Sequence, residues 1–227
     1  MTVRRAGRSV ARYLHFTPHC DIISLLISAD MRNIAITGGI ASGKSLFGQM
    51  LSRLGADVLD ADEIIREMHR PDGEGAKLVA CGFGRAYLTE SGATDRAKLG
   101  DLVFDNPAAR RRLDALLHPV ARRAALAWRD APSRAPFKAL LIPLLFESGW
   151  NADWDTVLTM ESPLETRLGR LAERGLSREA ALARIAAQTT PEERRAKADI
   201  VISNNAGFGE LARAASIIFK LMEQQSK

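Results

Sequence analysis

Residues 33–62 read NIAITGGIASGKSLFGQMLSRLGADVLDAD, and the organisation of the chain builds outward from them. A short apolar β-type run, 34–37, leads directly into Gly38-Gly-Ile-Ala-Ser-Gly-Lys-Ser45, which fits the pattern G-x-x-x-x-G-K-[ST]. An amphipathic helical pattern, 44–54, follows, and then a second β-type run, 57–60. Strand, glycine loop and helix in that order are the setting a phosphate-binding loop requires. Gly38 lets the chain leave the strand sharply, and Gly43 lets backbone amides close on phosphate oxygens with no Cβ in the way. Lys44 is expected to reach the β- and γ-phosphates, and the Ser45 hydroxyl to ligate Mg²⁺. Gly38, Gly39, Ile40, Ala41, Ser42, Gly43, Lys44 and Ser45 therefore form the expected ATP site.

Such a loop specifies a nucleoside triphosphate but not its use. A GTPase would carry N-K-x-D downstream, and the chain does not. A motor-type ATPase would end its third strand in an acid, whereas the run at 139–142 is followed by Pro143. Phosphoryl transfer to a small molecule remains.

Further β-type runs at 139–142, 155–159 and 199–203 alternate with amphipathic segments at 107–117, 164–174 and 178–188. Near-continuous apolar strands separated by helices indicate a parallel sheet covered on both faces. The expected fold is α/β, a three-layer α/β/α architecture on a five-stranded parallel sheet. The stretch 61–138 is almost wholly helical in pattern and reads as an inserted lobe for the acceptor.

Composition sets the outer limits. At 227 residues, 46% hydrophobic and 26% charged, the chain suits one domain with a substantial core. A net charge of +5 suits phosphorylated small molecules or nucleic acid, and only 6% aromatic content argues against a nucleic-acid surface. Cys20 and Cys81 stand alone, which excludes a disulfide framework and fits a reducing, cytoplasmic setting. No apolar run is long enough to span a membrane. Residues 1–30 carry Arg4, Arg5, Arg8 and Arg12 against Asp21 and Asp30. They are read as an extension, disordered or upstream of a working start at Met31, with a targeting peptide as the other reading.

The second strand ends in Asp60-Ala-Asp62. With that strand beside the loop strand, its carboxyl end would face the crevice, and period-two alternation would put both acids on one side. One carboxylate would then accept the proton of an attacking hydroxyl while the other orients it. The other reading is that Asp62 only caps the helix 63–70. Both stay open on position alone.

Here the chain resembles the dephospho-CoA kinase family. The resemblance is carried by 37–45 and by Leu54-Gly-Ala-Asp-Val-Leu-Asp-Ala-Asp62, then Phe83-Gly84, Asp95-Arg96, Val103-Phe104, His118-Pro119 and Pro143-Leu-Leu-Phe-Glu147. It continues through Arg184-Ile185 with Gln188, Ala198-Asp199 and Asn204-Asn205. It implies a kinase domain over 31–227 that phosphorylates the ribose 3′-hydroxyl of dephospho-CoA with ATP. A monomer or weak homo-oligomer is expected. Asp62 matches the catalytic base, supported by Asp60. His118, Phe83 and Glu147 are carried over as acceptor-site residues. Two positions depart from the family: Ala41 stands where Gly is usual, and Leu46 where Thr is usual.

Smaller signals are ambiguous. Arg167, Arg170 and Arg174 recur at i, i+3 and i+7, a face that either closes over phosphates or is solvated and stitched by Glu165 and Glu173. The resemblance implies a lid at about 163–190, with Arg170 the preferred phosphate contact. Arg184 and Gln188 share a face more weakly. His118-Pro119 reads alone as a helix start with Pro at its first position. Phe83 and Phe104 read as core or as packing in the acceptor lobe. Asn204 either meets the adenine edge or makes a turn.

Overall fold

The computed structural model describes residues 12–14, 33–205 and 207–225. The reading of 1–30 as an extension therefore falls outside the described residues, apart from 12–14. In chain order the strands are β1 (Arg12–Leu14), β2 (Asn33–Gly38), β3 (Asp57–Asp60), β4 (Lys138–Leu141), β5 (Thr156–Glu161) and β6 (Ile200–Ser203). The helices are α1 (Lys44–Leu54), α2 (Ala61–Met68), α3 (Glu74–Phe83), α4 (Arg96–Asp105), α5 (Pro107–Asp130), α6 (Leu164–Ala172), α7 (Arg178–Ala186), α8 (Pro191–Lys197) and α9 (Phe208–Gln225).

All five strands read from the sequence are present and parallel. The sheet order is β1-β6-β5-β2-β4-β3, with the short β1 added in parallel beside β6 as a sixth edge strand. That strand carried no sequence signal of its own. The order corrects one expectation. β4 lies between β3 and the loop strand β2, so β3 is not the neighbour of β2.

The fold separates into two compact units, one of residues up to 59 together with 132 onward, the other of residues 60–131. In the first, alternate residues of each strand point to opposite faces. Ile34, Ile36, Leu158, Met160 and Ile202 pack with Phe47 and Leu51 of α1 and Leu211, Ala215 and Ile218 of α9. Ala35, Leu140, Val157 and Val201 are buried on the opposite side, so the strands read as continuous apolar runs. Acids tie the loops to the strand starts. The Asp155 carboxylate accepts from the Asn33 amide at 3.1 Å, and that of Asp199 from the Val157 amide at 2.8 Å.

In the second unit α2, α3 and α4 all pack on the long helix α5. Its buried stripe is Leu117, Val120, Ala121 and Ala125. Pro119 lies inside this helix, and Pro107 takes the first helical position instead, after the Asn106 cap. His118-Pro119 is thus not a helix start. The ambiguity arose because Pro in a helix interior costs one backbone bond, which tertiary packing here overrides. Phe104 is 79% exposed and is not core. Phe83 is half-buried, edge-on to Tyr87 at 6.2 Å and beneath the Arg112 guanidinium at 5.5 Å.

His69, at the end of α2, fastens this unit internally. Its Nδ1 shares a 2.8 Å hydrogen bond with Thr94 Oγ1, and its carbonyl accepts from the Thr94 amide at 3.0 Å. Burial, and then the charge of Arg96, hold the imidazole pKa below its ordinary 6.5. The neutral ring is therefore the one the fold favours. Its contribution is complete above 6.5 and is lost as pH falls through the lowered folded value. Comparing unfolding midpoints at neutral and mildly acid pH should show a steeper acid loss in the wild type than in His69→Gln. Equal slopes would contradict this account.

Candidate active site

Loop 38–45 leaves β2 and closes on the N-terminus of α1. Its path requires glycine at two points. A Cβ at Gly38 would lie 2.5 Å from the Met160 carbonyl oxygen of the neighbouring strand. Gly43 has φ +104° and caps α1, and a Cβ there would lie 2.3 Å from Asn204 Nδ2. Gly43→Ala should therefore cost about 2–3 kcal/mol, combining left-handed strain with a displaced hydrogen bond. It should also weaken ATP binding at least about tenfold, since the loop amides no longer close. Thermal unfolding and an ATP titration read the two effects separately.

The loop tip is gripped from the first unit's own helices. Arg167 Nε donates to the Ile40 carbonyl at 2.9 Å, and Arg170 Nη1 to the Ala41 carbonyl at 2.9 Å. Gln188 Oε1 accepts from the Ile40 amide at 2.7 Å. Ile40 and Ala41 pack into a small apolar cluster with Leu168, Leu171, Ala181, Leu176 and Ile185 from α6, α7 and their connection. Ala41 has φ +61°, which explains why glycine suits this position; its methyl is accommodated by that cluster. Of the three arginines read as one face, only Arg167 and Arg170 turn to the loop. Arg174 lies beyond the end of α6 and is exposed, while Glu165 pairs with Arg178 at 3.0 Å.

Asn204 is buried beneath the loop. Its Nδ2 donates to the Ser42 carbonyl at 2.9 Å, and its own carbonyl accepts from Ser162 Oγ at 2.8 Å. This amide supports the loop backbone from below, a third role beyond the two weighed from the sequence. Lys44 is half-buried and Ser45 exposed at the first turn of α1.

Two residues that sequence reasoning passed over lie beside the loop. Glu161, the last residue of β5, receives Arg194 Nε on Oε1 and Arg194 Nη2 on Oε2, both at 2.7 Å, with both side chains 4% exposed. Thr159 Oγ1 adds a third donor at 3.0 Å. The missed signal was an acid closing an apolar strand, the same cue that singled out Asp60. Glu147 is exposed, and its Oε1 accepts from the Thr189 amide at 2.7 Å, tying the turn after β4 to the chain before α8.

The paired acids belong to the second unit. β3 stops at Asp60, whose Oδ1 accepts from the Asp62 amide at 3.0 Å, so Asp60 and not Asp62 is the cap of α2. The strand does not continue, and the assumed period-two alignment of the two carboxylates fails. Asp62 stands in the first helical turn with its side chain exposed. His118 also lies in this unit and is exposed.

A parallel sheet whose loop strand feeds a glycine-rich phosphate cradle at a helix N-terminus, with arginines drawn onto that cradle, defines a P-loop phosphotransferase. The model of the dephospho-CoA kinase family matches residues 32–210. The dephospho-CoA kinase of Geobacillus kaustophilus is 41% identical over 197 residues, 86% of this chain and 98% of that protein. Among solved structures, TT1252 from Thermus thermophilus is 35% identical with TM-score 0.71, covering 84% of this chain and 97% of that one. The dephospho-CoA kinase from Campylobacter jejuni is 28% identical with TM-score 0.66, covering 87% of this chain and all of that one. The chain belongs to the dephospho-CoA kinase family. Among the described residues no helix is long and apolar enough to cross a membrane.

Proposed function

We propose that the protein transfers the γ-phosphoryl group of ATP to the ribose 3′-hydroxyl of dephospho-CoA, giving CoA and ADP, the last step of coenzyme A biosynthesis. The observation that carries this reading is the gripped loop 38–45 on a chain that matches the family over residues 32–210. Loop amides and the N-terminus of α1 would hold the phosphates, and Lys44 would reach the β- and γ-groups. Arg170 would neutralise charge developing on the transferred group. Asp62 would take the proton of the attacking hydroxyl as the γ-phosphorus–oxygen bond to ADP breaks. Asp60, already holding the Asp62 amide, would fix the turn that presents it.

The residues fit Mg²⁺ delivered with the nucleotide. Among the described residues no group of three or more His, Cys, Asp or Glu side chains could hold a metal unaided. The exposed Ser45 hydroxyl supplies one hard oxygen beside the expected phosphates, the kind of sparse protein ligation Mg²⁺ favours. When bound, the ion supplies electrostatic stabilisation to the phosphate oxygens. Residues 60–131, with His118 and Phe83, would serve the acceptor, α6 and α7 the lid, and Glu147 the lid's anchorage through Thr189. We read the protein as a cytoplasmic monomer or weak homo-oligomer acting on small molecules without nucleic acid, supported by its two isolated cysteines and low aromatic content.

The test is ADP formation with dephospho-CoA against AMP, CMP and free nucleosides as acceptors. Preferential turnover of dephospho-CoA is expected, and its absence would overturn the assignment.

A further inference from the structure

Arg167 was one of three arginines on an expected lid face, yet it is 2% exposed, as deeply placed as a core leucine. Its Nε is committed to the Ile40 carbonyl at 2.9 Å. Its Nη2 is buried and has no hydrogen-bond partner among the described residues. A Cβ built on Gly39 would lie 2.8 Å from both Cζ and Nη2 of Arg167 and 3.0 Å from Nη2 of Arg194. Two guanidiniums thus press on the loop backbone where Gly39 lacks a side chain. Arg194 is neutralised by Glu161 at 2.7 Å, and Arg167 has no carboxylate hydrogen-bonded to it among the described residues. Two cations against one anion leave a net charge of +1 buried beside the loop.

Such a charge is costly without a counter-anion. Burial first, and then the neighbouring Arg194, draw the Arg167 pKa below its usual range, with Glu161 opposing. A guanidinium nevertheless stays protonated, so the cost is not escaped by losing a proton. The ligand that removes it is an anion reached at the loop itself. Guanidinium groups bind phosphate through paired N–H donors, and Nε already spent on the loop leaves the free edge of the fork for that contact.

We infer that Arg167 is a phosphate-binding residue of this site, its Nη2 donating to a non-bridging oxygen of the bound triphosphate and closing a buried cluster with Arg194 and Glu161. The inference rests on loop 38–45 being the triphosphate site. It assigns Arg167 a fixed place behind Gly39, separate from the Arg170 contact at Ala41.

The test is calorimetric titration of the full chain, without acceptor, using ATP and inorganic tripolyphosphate as probes. Arg167→Met should weaken both by about 10- to 100-fold, the worth of a hydrogen bond to a charged group. Its unliganded unfolding midpoint should stay level or rise, because the uncompensated charge is gone. A lowered midpoint with unchanged affinity for both probes would make Arg167 a purely structural residue and overturn the inference. Where the methionine variant does not fold, Arg167→Lys keeps the charge and loses the fork. Weakened binding at an unchanged midpoint is expected there, and wild-type affinity would overturn the inference. A wild type that binds ATP but does not phosphorylate dephospho-CoA defeats the acceptor assignment alone and leaves this comparison intact. A wild type that binds neither probe overturns both.

Discussion

Asp62→Asn should leave ATP affinity near the wild-type value while turnover falls by about 10² or more. The substitution is isosteric and removes only the basicity of an exposed carboxylate in the first turn of α2. Because Asp60 is the cap, the helix keeps its start, and the lost charge–dipole interaction is worth only about 0.3–1 kcal/mol. Asp60→Asn is the matched control. Asn caps as well as Asp, so the helix persists, and a smaller loss of turnover is expected than in Asp62→Asn. Steady-state rates at saturating acceptor, beside an ATP titration, separate the two carboxylates. Unimpaired turnover in Asp62→Asn would remove that residue from the chemistry.

Glu161→Gln should be the most destabilising single change near the loop, by about 3–5 kcal/mol. The glutamate takes two charge-assisted bonds from Arg194 at 2.7 Å and one from Thr159, with almost no solvent to replace them. Its loss leaves two buried guanidiniums and no anion. For a domain of this size that corresponds to a fall in unfolding midpoint of about 6–20 °C. A double-mutant cycle tests the cause. Arg167→Met should relieve part of the Glu161→Gln penalty if the harm is surplus charge. Strict additivity would place it in lost hydrogen bonds alone.

What the sequence made legible was what is local. Strand β2, the glycine loop and α1 follow one another within 22 residues, and each boundary is marked by a residue type with a physical reason to be there. The family resemblance began in that stretch and drew its more particular motifs from short local runs between Asp60 and Asn205. Sheet order was not legible, because the insertion of β4 between β2 and β3 depends on pairing residues about a hundred positions apart. That one adjacency misplaced the argument for Asp60 and Asp62, even though the residues themselves were singled out. Glu161 and Arg194 were missed for a related reason. An acid at a strand end and an arginine in a short helix mean little until the fold buries them together. His118-Pro119 misled in the opposite direction, a strong local signal overruled by the packing of α5.

The seating of Ile40 and Ala41 among leucines of α6 and the turn that follows it has a thermodynamic consequence for every nucleotide measurement on this protein. A triphosphate does not meet a bare loop. It meets one whose populations are already weighted by side chains that never touch phosphate. The apparent dissociation constant is the intrinsic one divided by the fraction of molecules that hold the loop in its competent shape. Substitutions at Leu168 or Leu171 would therefore register as changes in affinity with the chemistry untouched. In this fold the strength of phosphate binding is partly written in hydrocarbon.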